Sequence, residues 1–323
     1  MCTAITFLSK DFYFGRNLDL EYCYHESVTI TPRNFPLVFR NGSKLSTHLA
    51  MIGIATVEED YPLYYDCTNE AGLSMAGLNF PGNAFYAEGS YPQTPIAPFE
   101  LIPWVLCQCR NVQEAKKLLD TTSIAAIPFS DKFPLSDLHW ILSDKHQSIT
   151  IEPTKSGTTL TSNPVGILTN NPPFEYHLNN LCNYMHMTNK RPDNTLAPRI
   201  DLTPYSRGMG AMGLPGDLSS ASRFIRACFT KNFSVLHNNE EQAVNQFFHI
   251  LGAVEQQEGC VRIGDGYEKT IYSSCCNTDK GIYYYTTYEN RQITGIDLHR
   301  ENINGCELVY YPLNRSSEIT IEN

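Results

Sequence analysis

The segment that decides the fold is Met1-Cys2-Thr3-Ala4-Ile5-Thr6-Phe7-Leu8, followed by Ser9-Lys10-Asp11 and by Phe12-Tyr13-Phe14-Gly15-Arg16-Asn17-Leu18-Asp19. Residues 2–8 and 12–18 are apolar-rich runs of strand length, and the polar stretch between them is typical of a tight turn. The pattern predicts a β-hairpin. The chain therefore begins inside a sheet, and its second residue lies at the start of a strand.

Cys2 is a candidate nucleophile because of its position. If Met1 is removed, Cys2 carries a free α-amine beside its thiol. An α-amine has a reference pKa of about 7.7–8.0 and acts as a general base at neutral pH. One residue then supplies both the nucleophile and its base. The alternative interpretation is an ordinary cysteine that happens to follow the initiator methionine.

The second strand of the hairpin adds a cation and a carboxylate, Arg16 and Asp19, three residues apart. Arg16 would stabilise a thiolate, because a nearby cation favours the charged form of the sulfur. Asp19 would orient the α-amine, and Gly15 leaves room for the close approach of another backbone. The alternative is a surface arginine and aspartate at the end of a strand.

Working outward from the hairpin, the pattern alternates between strands and helices. Further strands are predicted at 27–31, 50–57, 72–78, 138–143, 148–152, 158–161, 270–275, 281–288, 292–297 and 307–311. Helices are predicted within 98–119, with a break and a new N-cap at Asn111, and at 174–187, 220–229 and 240–256. The order β, α, β, α, β predicts an α+β fold in which two helical layers cover two sheets, as a single domain over residues 2–323.

Composition excludes several classes of protein. Of 323 residues, 42% are hydrophobic and 18% charged, which is ample for a packed core. Lys plus Arg number 24 against 34 for Asp plus Glu, and the net charge of −10 argues against nucleic acid or an anionic membrane as partner. Residues 49–57 form the longest comparable apolar run, far short of the roughly 18–20 that a spanning helix needs. We find no signal-peptide pattern, and eleven scattered cysteines favour reduced thiols in a cytoplasm.

Longer motifs resemble those of a known family. They are Phe14-Gly15-Arg16-Asn17-Leu18-Asp19 and the stretches 69–80 (NEAGLSMAGLNF), 168–172 (LTNNP), 213–217 (GLPGD), 222–224 (SRF) and 281–285 (GIYYY). Together they span almost the whole chain and resemble the choloylglycine hydrolase family, in particular its conjugated bile salt hydrolases, with penicillin V acylases as relatives. The resemblance implies a bacterial cytoplasmic enzyme with the N-terminal nucleophile hydrolase fold, a four-layer αββα sandwich. This agrees with the element order.

The resemblance also implies a set of site residues. They are Cys2 as the nucleophile, Arg16 and Asp19 beside it, and Asn79, Asn170 and Arg223 completing the site. The Asn79 side chain and a group at Asn170 are the expected donors to the oxyanion of amide hydrolysis. Family members that prefer penicillin V tend to carry an aromatic residue in place of Asn79, so asparagine favours bile salts. The implied reaction cleaves the amide between a bile acid and glycine or taurine through a thioester on Cys2, with no metal or organic cofactor.

Three segments resemble the substrate loops of the family: 20–24, 61–65 and 124–129. The residues expected to contact the apolar steroid are Leu20, Tyr22, Tyr24, Tyr61, Leu63, Tyr65, Ile127 and Phe129. Each aromatic residue among them is equally compatible with ordinary packing. The long polar stretch 189–216 resembles an extension that packs against neighbouring subunits, which favours a homotetramer; the alternative is a surface loop of a monomer.

Alternatives of other kinds stay open at this point. The nearest enzymatic one is an acylase for penicillin V or N-acyl homoserine lactones. A non-catalytic alternative is a steroid-binding protein on the same fold. The pair Cys107 and Cys109 lacks the two-residue spacer of redox and zinc motifs, so no metal site is predicted there.

Overall fold

The computed structural model of the chain describes residues 1–89, 91, 93–317 and 319–323. Within these ranges the strands are β1 (Cys2–Leu8), β2 (Phe12–Leu20), β3 (Ser27–Thr31), β4 (Leu37–Val38), β5 (Lys44–Leu45), β6 (Met51–Glu58), β7 (Tyr61–Asn69), β8 (Ser74–Asn79), β9 (Thr94–Ile96), β10 (Thr122–Ile124), β11 (Leu138–Ser143), β12 (Ser148–Thr154), β13 (Gly157–Ser162), β14 (Ile167–Leu168), β15 (Val261–Ile263), β16 (Gly266–Asn277), β17 (Ile282–Thr287), β18 (Thr294–Asp297) and β19 (Val309–Pro312). The α-helices are α1 (Leu101–Leu106), α2 (Val112–Leu119), α3 (Phe174–Asn180), α4 (Ser220–Phe233) and α5 (Glu240–Gly252). Short 3-10 helices cover Pro98–Glu100, Leu181–Tyr184, Met209–Ala211 and Leu298–Arg300.

The predicted N-terminal hairpin is present and lies inside a seven-stranded sheet, called sheet A here. β1 pairs antiparallel with β2, and Cys2 lies opposite Leu18. The strand order is β14-β1-β2-β16-β17-β18, and β15 pairs with β16. The first six residues of β1 are all buried, which is the pattern of a strand covered on both faces. Cys2 therefore starts an interior strand, as the sequence predicts.

Gly15 is the residue that lets β2 lie close to β16. A Cβ atom at this position would lie 1.9 Å from the backbone oxygen of Ser274, so a side chain does not fit. The close approach predicted at Gly15 is confirmed. It places the polar side chains of β16 beside the predicted site residues of β2.

An eight-stranded sheet, sheet B, packs against sheet A. Its order is β13-β12-β11-β8-β7-β6-β3-β19. Helices α4 and α5 contact β1 and β16 on the outer side of sheet A, whereas α1 contacts β7 and β8 of sheet B. The layers are therefore helix, sheet, sheet and helix, and the predicted four-layer αββα sandwich is confirmed.

Two hydrophobic cores hold these layers together. One joins sheet A to α4, α5 and the inner face of sheet B, with Phe224 and Phe247 fully buried. The other lies between sheet B and the α1–α2 layer and includes Val105 and Trp140. Each fully buried side chain of this size contributes about 1.5–3 kcal/mol to folding. The start of α2 is capped as predicted, since Asn111 Oδ1 accepts a hydrogen bond from the Glu114 amide at 2.9 Å.

Two predicted helices end earlier than expected. The helix predicted over 174–187 is α-helical only to Asn180 and continues as a 3-10 turn to Tyr184. Asparagine side chains compete for backbone hydrogen bonds, and three of them lie between residues 179 and 183. The helix predicted over 240–256 ends at Gly252, since glycine is a poor helix former. α4 instead runs four residues beyond its predicted end, to Phe233.

The sequence analysis missed strand β7, because it assigned residues 61–65 to a substrate loop. The strand pairs with β6 along its length but with β8 only at Asp66–Thr68. Residues 61–65 therefore form a free strand edge. Proline lacks an amide hydrogen, but no second strand lies beside Pro62 to accept a hydrogen bond from it, so proline is tolerated there.

The segment 189–216 contains one short 3-10 helix and is otherwise irregular, in agreement with the prediction of a long loop. Several of its apolar side chains are exposed, among them Leu196 at 97% and Tyr205 at 85%. In the part of the chain that the structure describes, no helix has the length and apolar character needed to cross a membrane.

Candidate active site

Cys2, the first residue of β1, is held in place by hydrogen bonds to its backbone. Its amide nitrogen donates to Asn170 Oδ1 at 2.7 Å, and its carbonyl accepts from Arg223 Nη1 at 2.5 Å. The residue is only 2% exposed and lines the cavity described below. Backbone bonds on both sides leave the side chain free to react while its position stays defined.

Arg16 is a fully buried cation next to Cys2. Its Nη1 donates to the carbonyls of Tyr65 and Gly77 at 2.9 and 2.5 Å, whereas Nη2 has no partner among the described residues. Burial by itself lowers the pKa of the guanidinium, but the Cys2 sulfur and Asp66 raise it above its ordinary value. Arg16 therefore stays charged beside the Cys2 sulfur.

Asp66 is a site-supporting residue that the sequence analysis missed. Its carboxylate is buried and accepts hydrogen bonds from the hydroxyls of Tyr272, Tyr283 and Ser274. The Ser274 hydroxyl also accepts from the Arg16 amide at 3.1 Å, so Asp66 is connected to Arg16 through one side chain. A lone aspartate within an apolar strand is the only signal that the sequence offered for it.

Asp19 lies on the same strand as Arg16, with its carboxylate fully buried. Oδ1 accepts from the Thr270 hydroxyl at 2.6 Å, and Oδ2 lies 4.0 Å from Arg223 Nη1. Burial raises the pKa of Asp19, although Arg223 and the N-terminal ammonium act to lower it. Asp19 therefore lies beside the N-terminus, and its role in orienting an amine stays a prediction.

Asn79 and Asn170 lie next to each other but differ in what their side chains do. Asn170 Nδ2 donates to the Asn79 carbonyl at 2.8 Å, and its Oδ1 accepts from both Cys2 and Arg223. Asn170 Oδ1 therefore helps to hold the nucleophile, while Nδ2 uses one of its two hydrogens on the Asn79 carbonyl, and the oxyanion role expected at Asn170 stays a prediction. The Asn79 side chain has no hydrogen bond to another described residue and lines the cavity, so it is free to donate to a bound group.

Arg223, in the first turn of α4, joins four backbone and side-chain groups. Besides the Cys2 carbonyl, it donates to Thr3 Oγ1 at 2.6 Å, to Asn170 Oδ1 at 2.8 Å and to the Leu218 carbonyl at 3.0 Å. Burial lowers the pKa of Arg223, and Asp19 opposes this effect. The planar fork of arginine suits this arrangement, because one lysine nitrogen cannot reach four acceptors.

A largely apolar cavity of about 550 Å³ opens beside Cys2. Of the eight predicted substrate contacts, the seven that line it are Leu20, Tyr22, Tyr24, Leu63, Tyr65, Ile127 and Phe129. Tyr61 is not among the lining residues: its ring packs behind the wall, with centroids 5.8 Å from Phe99 and 6.1 Å from Phe129. Tyr61 shares a strand face with Leu63, and its packing against Phe99 and Phe129 keeps its ring out of the cavity.

The sequence analysis also missed part of the cavity wall. The segment 132–138 contributes Phe133, Leu135 and Leu138 among others, and Phe99 adds an aromatic ring from the start of the first helical region. The apolar residues of this segment were the available signal, but its irregular spacing matches neither a helix nor a strand. Among the residues that the structure describes, no group of three or more His, Cys, Asp and Glu side chains is arranged to hold a metal ion.

A cysteine at the start of a central strand of an αββα sandwich is the defining arrangement of the N-terminal nucleophile hydrolases. A family model described as linear amide C–N hydrolases, choloylglycine hydrolase family, matches residues 2–311. The chain belongs to this family and is a hydrolase of linear amide C–N bonds. The family and fold predicted from the motifs are thereby confirmed.

Individual relatives match along their whole length. The chain is 53% identical over 319 residues to a bile salt hydrolase/transferase of Lactiplantibacillus plantarum, covering 98% of each protein. It is 39% identical over 330 residues to a bile salt hydrolase/transferase of Clostridium perfringens, covering 100% of both. The crystal structure of the C2A mutant of the conjugated bile acid hydrolase from Clostridium perfringens superposes with a TM-score of 0.92 at 37% identity, over 100% of both chains.

Proposed function

We propose that this protein hydrolyses the amide bond of glycine- and taurine-conjugated bile salts, with Cys2 as the nucleophile. The observation that carries the proposal is the position of Cys2, beside the buried cation Arg16, on a largely apolar cavity of about 550 Å³. A rigid apolar steroid suits such a cavity, because its burial from water supplies the binding free energy. The names of the relatives, bile salt hydrolase/transferase, support the same substrate class.

The first step requires a free α-amine, so the proposal includes removal of Met1. The amine of Cys2 takes the thiol proton, and the thiolate attacks the carbonyl carbon of the scissile amide. The carbon–nitrogen bond then breaks, the leaving amine takes the proton from the Cys2 ammonium, and a thioester remains. Water activated by the same amine hydrolyses this thioester and releases the free bile acid.

The proposed transition-state stabilisation comes from Asn79. Its side-chain amide faces the cavity without a hydrogen-bond partner among the described residues, as an oxyanion donor requires. Asn170 and Arg223 hold the backbone of Cys2 from both sides, so the nucleophile needs no reorganisation when the substrate binds. With a net charge of −10, binding of an anionic substrate would depend on steroid burial rather than on long-range attraction.

The experiment that tests the proposal combines mass and turnover. Intact mass should be lower than that of the full sequence by one methionine, and release of glycine and taurine from conjugated bile salts should stop as iodoacetamide alkylates Cys2. Cys2→Ser should lose nearly all turnover while still binding the bile salt. Retained Met1 with intact turnover would contradict the mechanism. Faster cleavage of penicillin V or N-acyl homoserine lactones would reassign the substrate, and steroid binding without cleavage of any of these substrates would favour a binding protein.

We also propose a homotetramer formed from single-domain subunits, with residues 189–216 as the oligomerisation extension. The exposed apolar side chains of this segment, Leu196 and Tyr205 foremost, support it, since such groups are normally covered. A cytoplasmic location is supported by the cysteines, all of which are free. Light scattering on the purified protein tests the assembly: a mass of one 36.5 kDa chain would contradict it.

A further inference from the structure

A second buried carboxylate, Glu268, lies at the N-terminus beside Asp19. Glu268 is 1% exposed and forms an ion pair with the N-terminal ammonium of Met1. The same ammonium donates to the Asp19 carbonyl at 2.8 Å, and the Asp19 amide donates to the Met1 carbonyl at 2.9 Å. Met1 thus extends β1 by one residue and brings its charge to Glu268.

We propose that Glu268 is a positioning residue that, once Met1 is removed, stabilises the ammonium formed when the α-amine of Cys2 takes the thiol proton; this rests on the proposed function. Removal of Met1 shifts the amine along the chain by one residue, about 3.8 Å between α-carbons. The amine then lies one residue from the position where the Met1 ammonium pairs with Glu268, and it keeps Asn170 Oδ1 as its hydrogen-bond acceptor.

The balance of charges gives the physical reason. The charged groups that face the amine are Asp19 from β2, Glu268 from β16 and Arg223 from α4, with Arg16 next to the thiol. The positive charge of Arg223 balances one of the two carboxylates. Without an ammonium, the other carboxylate would be a buried negative charge with no partner, which is unfavourable. Burial raises the pKa of Glu268 above its ordinary value, and the N-terminal ammonium opposes only part of this effect. The cluster therefore stabilises the ammonium formed when the amine takes the proton of the thiol, while the sulfur keeps the electron pair.

The test measures the pKa of the α-amine directly. In a Cys2→Ser background no thiol titrates at this position, and competitive acetylation with acetic anhydride followed by peptide mass spectrometry reports the amine alone. Adding Glu268→Gln should lower the pKa of the amine by about one unit, because an attractive charge is lost. Glu268→Asp should restore most of the difference. A purely structural role would leave the pKa of the amine unchanged.

Glu100→Gln is the matched control, since Glu100 is also 1% exposed and, among the described residues, its carboxylate accepts only from the amides of Arg40 and Ala97. It should leave the pKa of the α-amine unchanged. An unchanged pKa in Glu268→Gln, or Met1 retained in the active protein, would overturn the inference. If Glu268→Gln does not fold, Glu268→Ala removes the same charge with less steric demand and should give a shift of the same sign.

Failure of the proposed function gives a different result. Turnover of conjugated bile salts by the wild-type protein tests that function, whereas the amine pKa does not depend on turnover. Wild-type turnover without a shift in Glu268→Gln would reject the role of Glu268 alone. A shift without turnover would support Glu268 and reject the substrate. In a background that keeps Cys2, Glu268→Gln should also move the acid limb of the profile of kcat/KM against pH to lower pH. The reason is that the α-amine, with its lower pKa, loses its proton at lower pH.

Discussion

Replacing Gly15 by alanine tests the link between the fold and the site. The added Cβ would lie 1.9 Å from the Ser274 oxygen, 2.6 Å from its carbonyl carbon and 2.9 Å from the Cys275 Cα, where ordinary contacts begin at 3.4 Å. All three atoms belong to the backbone of β16, so no side-chain rotation relieves the overlap. The strands must separate by about 1.5 Å, and overpacking of this kind costs about 3 kcal/mol. We expect a Tm lower by roughly 4 °C for a chain of this length.

The same displacement should reach the active site. β16 carries Ser274, whose hydroxyl accepts from the Arg16 amide, and Thr270, which donates to Asp19. We therefore expect kcat for the amide substrate to fall at least about tenfold, since misplacement by 1 Å costs up to about a hundredfold. Thermal unfolding and steady-state kinetics measure the two effects. Gly252→Ala is the control, because nothing lies within 4 Å of its Cβ, and it should be as stable as the wild type or slightly more so. A Gly15→Ala protein with wild-type Tm would refute the close approach of the strands.

Three further perturbations test separate parts of the site and its support. Asn79→Ala should lower kcat by about 10²–10³ with little change in KM, because only a transition-state donor is lost. The backbone carbonyl that accepts from Asn170 is retained in this variant. A rise in KM by the same factor would instead show that Asn79 binds the ground state of the substrate. Leu63→Ala should raise KM about tenfold through lost apolar contact, whereas Tyr61→Phe should leave KM unchanged, since Tyr61 does not line the cavity. Burial lowers the pKa of Lys231 from 10.5 to about 8, so the unfolded chain binds more protons between these values. The wild type should therefore gain stability relative to Lys231→Met as pH rises from 8 to 10.5, measured by urea unfolding; a constant difference would contradict the lowered pKa.

Much of the fold could be predicted because its signals are local. The apolar runs on either side of Ser9-Lys10-Asp11 predict the hairpin that the structure contains, and Asn111 marks the start of α2 as an N-cap does. β7 was missed, since the mixed pattern of residues 61–65 belongs to a free strand edge beside a cavity. Strand edges and cavities depend on which strands become neighbours, and a local sequence pattern does not predict that pairing.

The sequence by itself determined the family and the strand that starts at Cys2, and it predicted six site residues, because these follow from residue identities in long motifs. The tertiary structure alone decided how their side chains are used. Asn170 Oδ1 accepts hydrogen bonds from Cys2 and Arg223, whereas the Asn79 side chain lines the cavity with no partner among the described residues. The tertiary structure also brings Asp66 and Glu268 close to Arg16 and to the N-terminus from distant segments of the chain. Burial and charge depend on atoms far apart in the chain, so these roles arise only when the two sheets pack together.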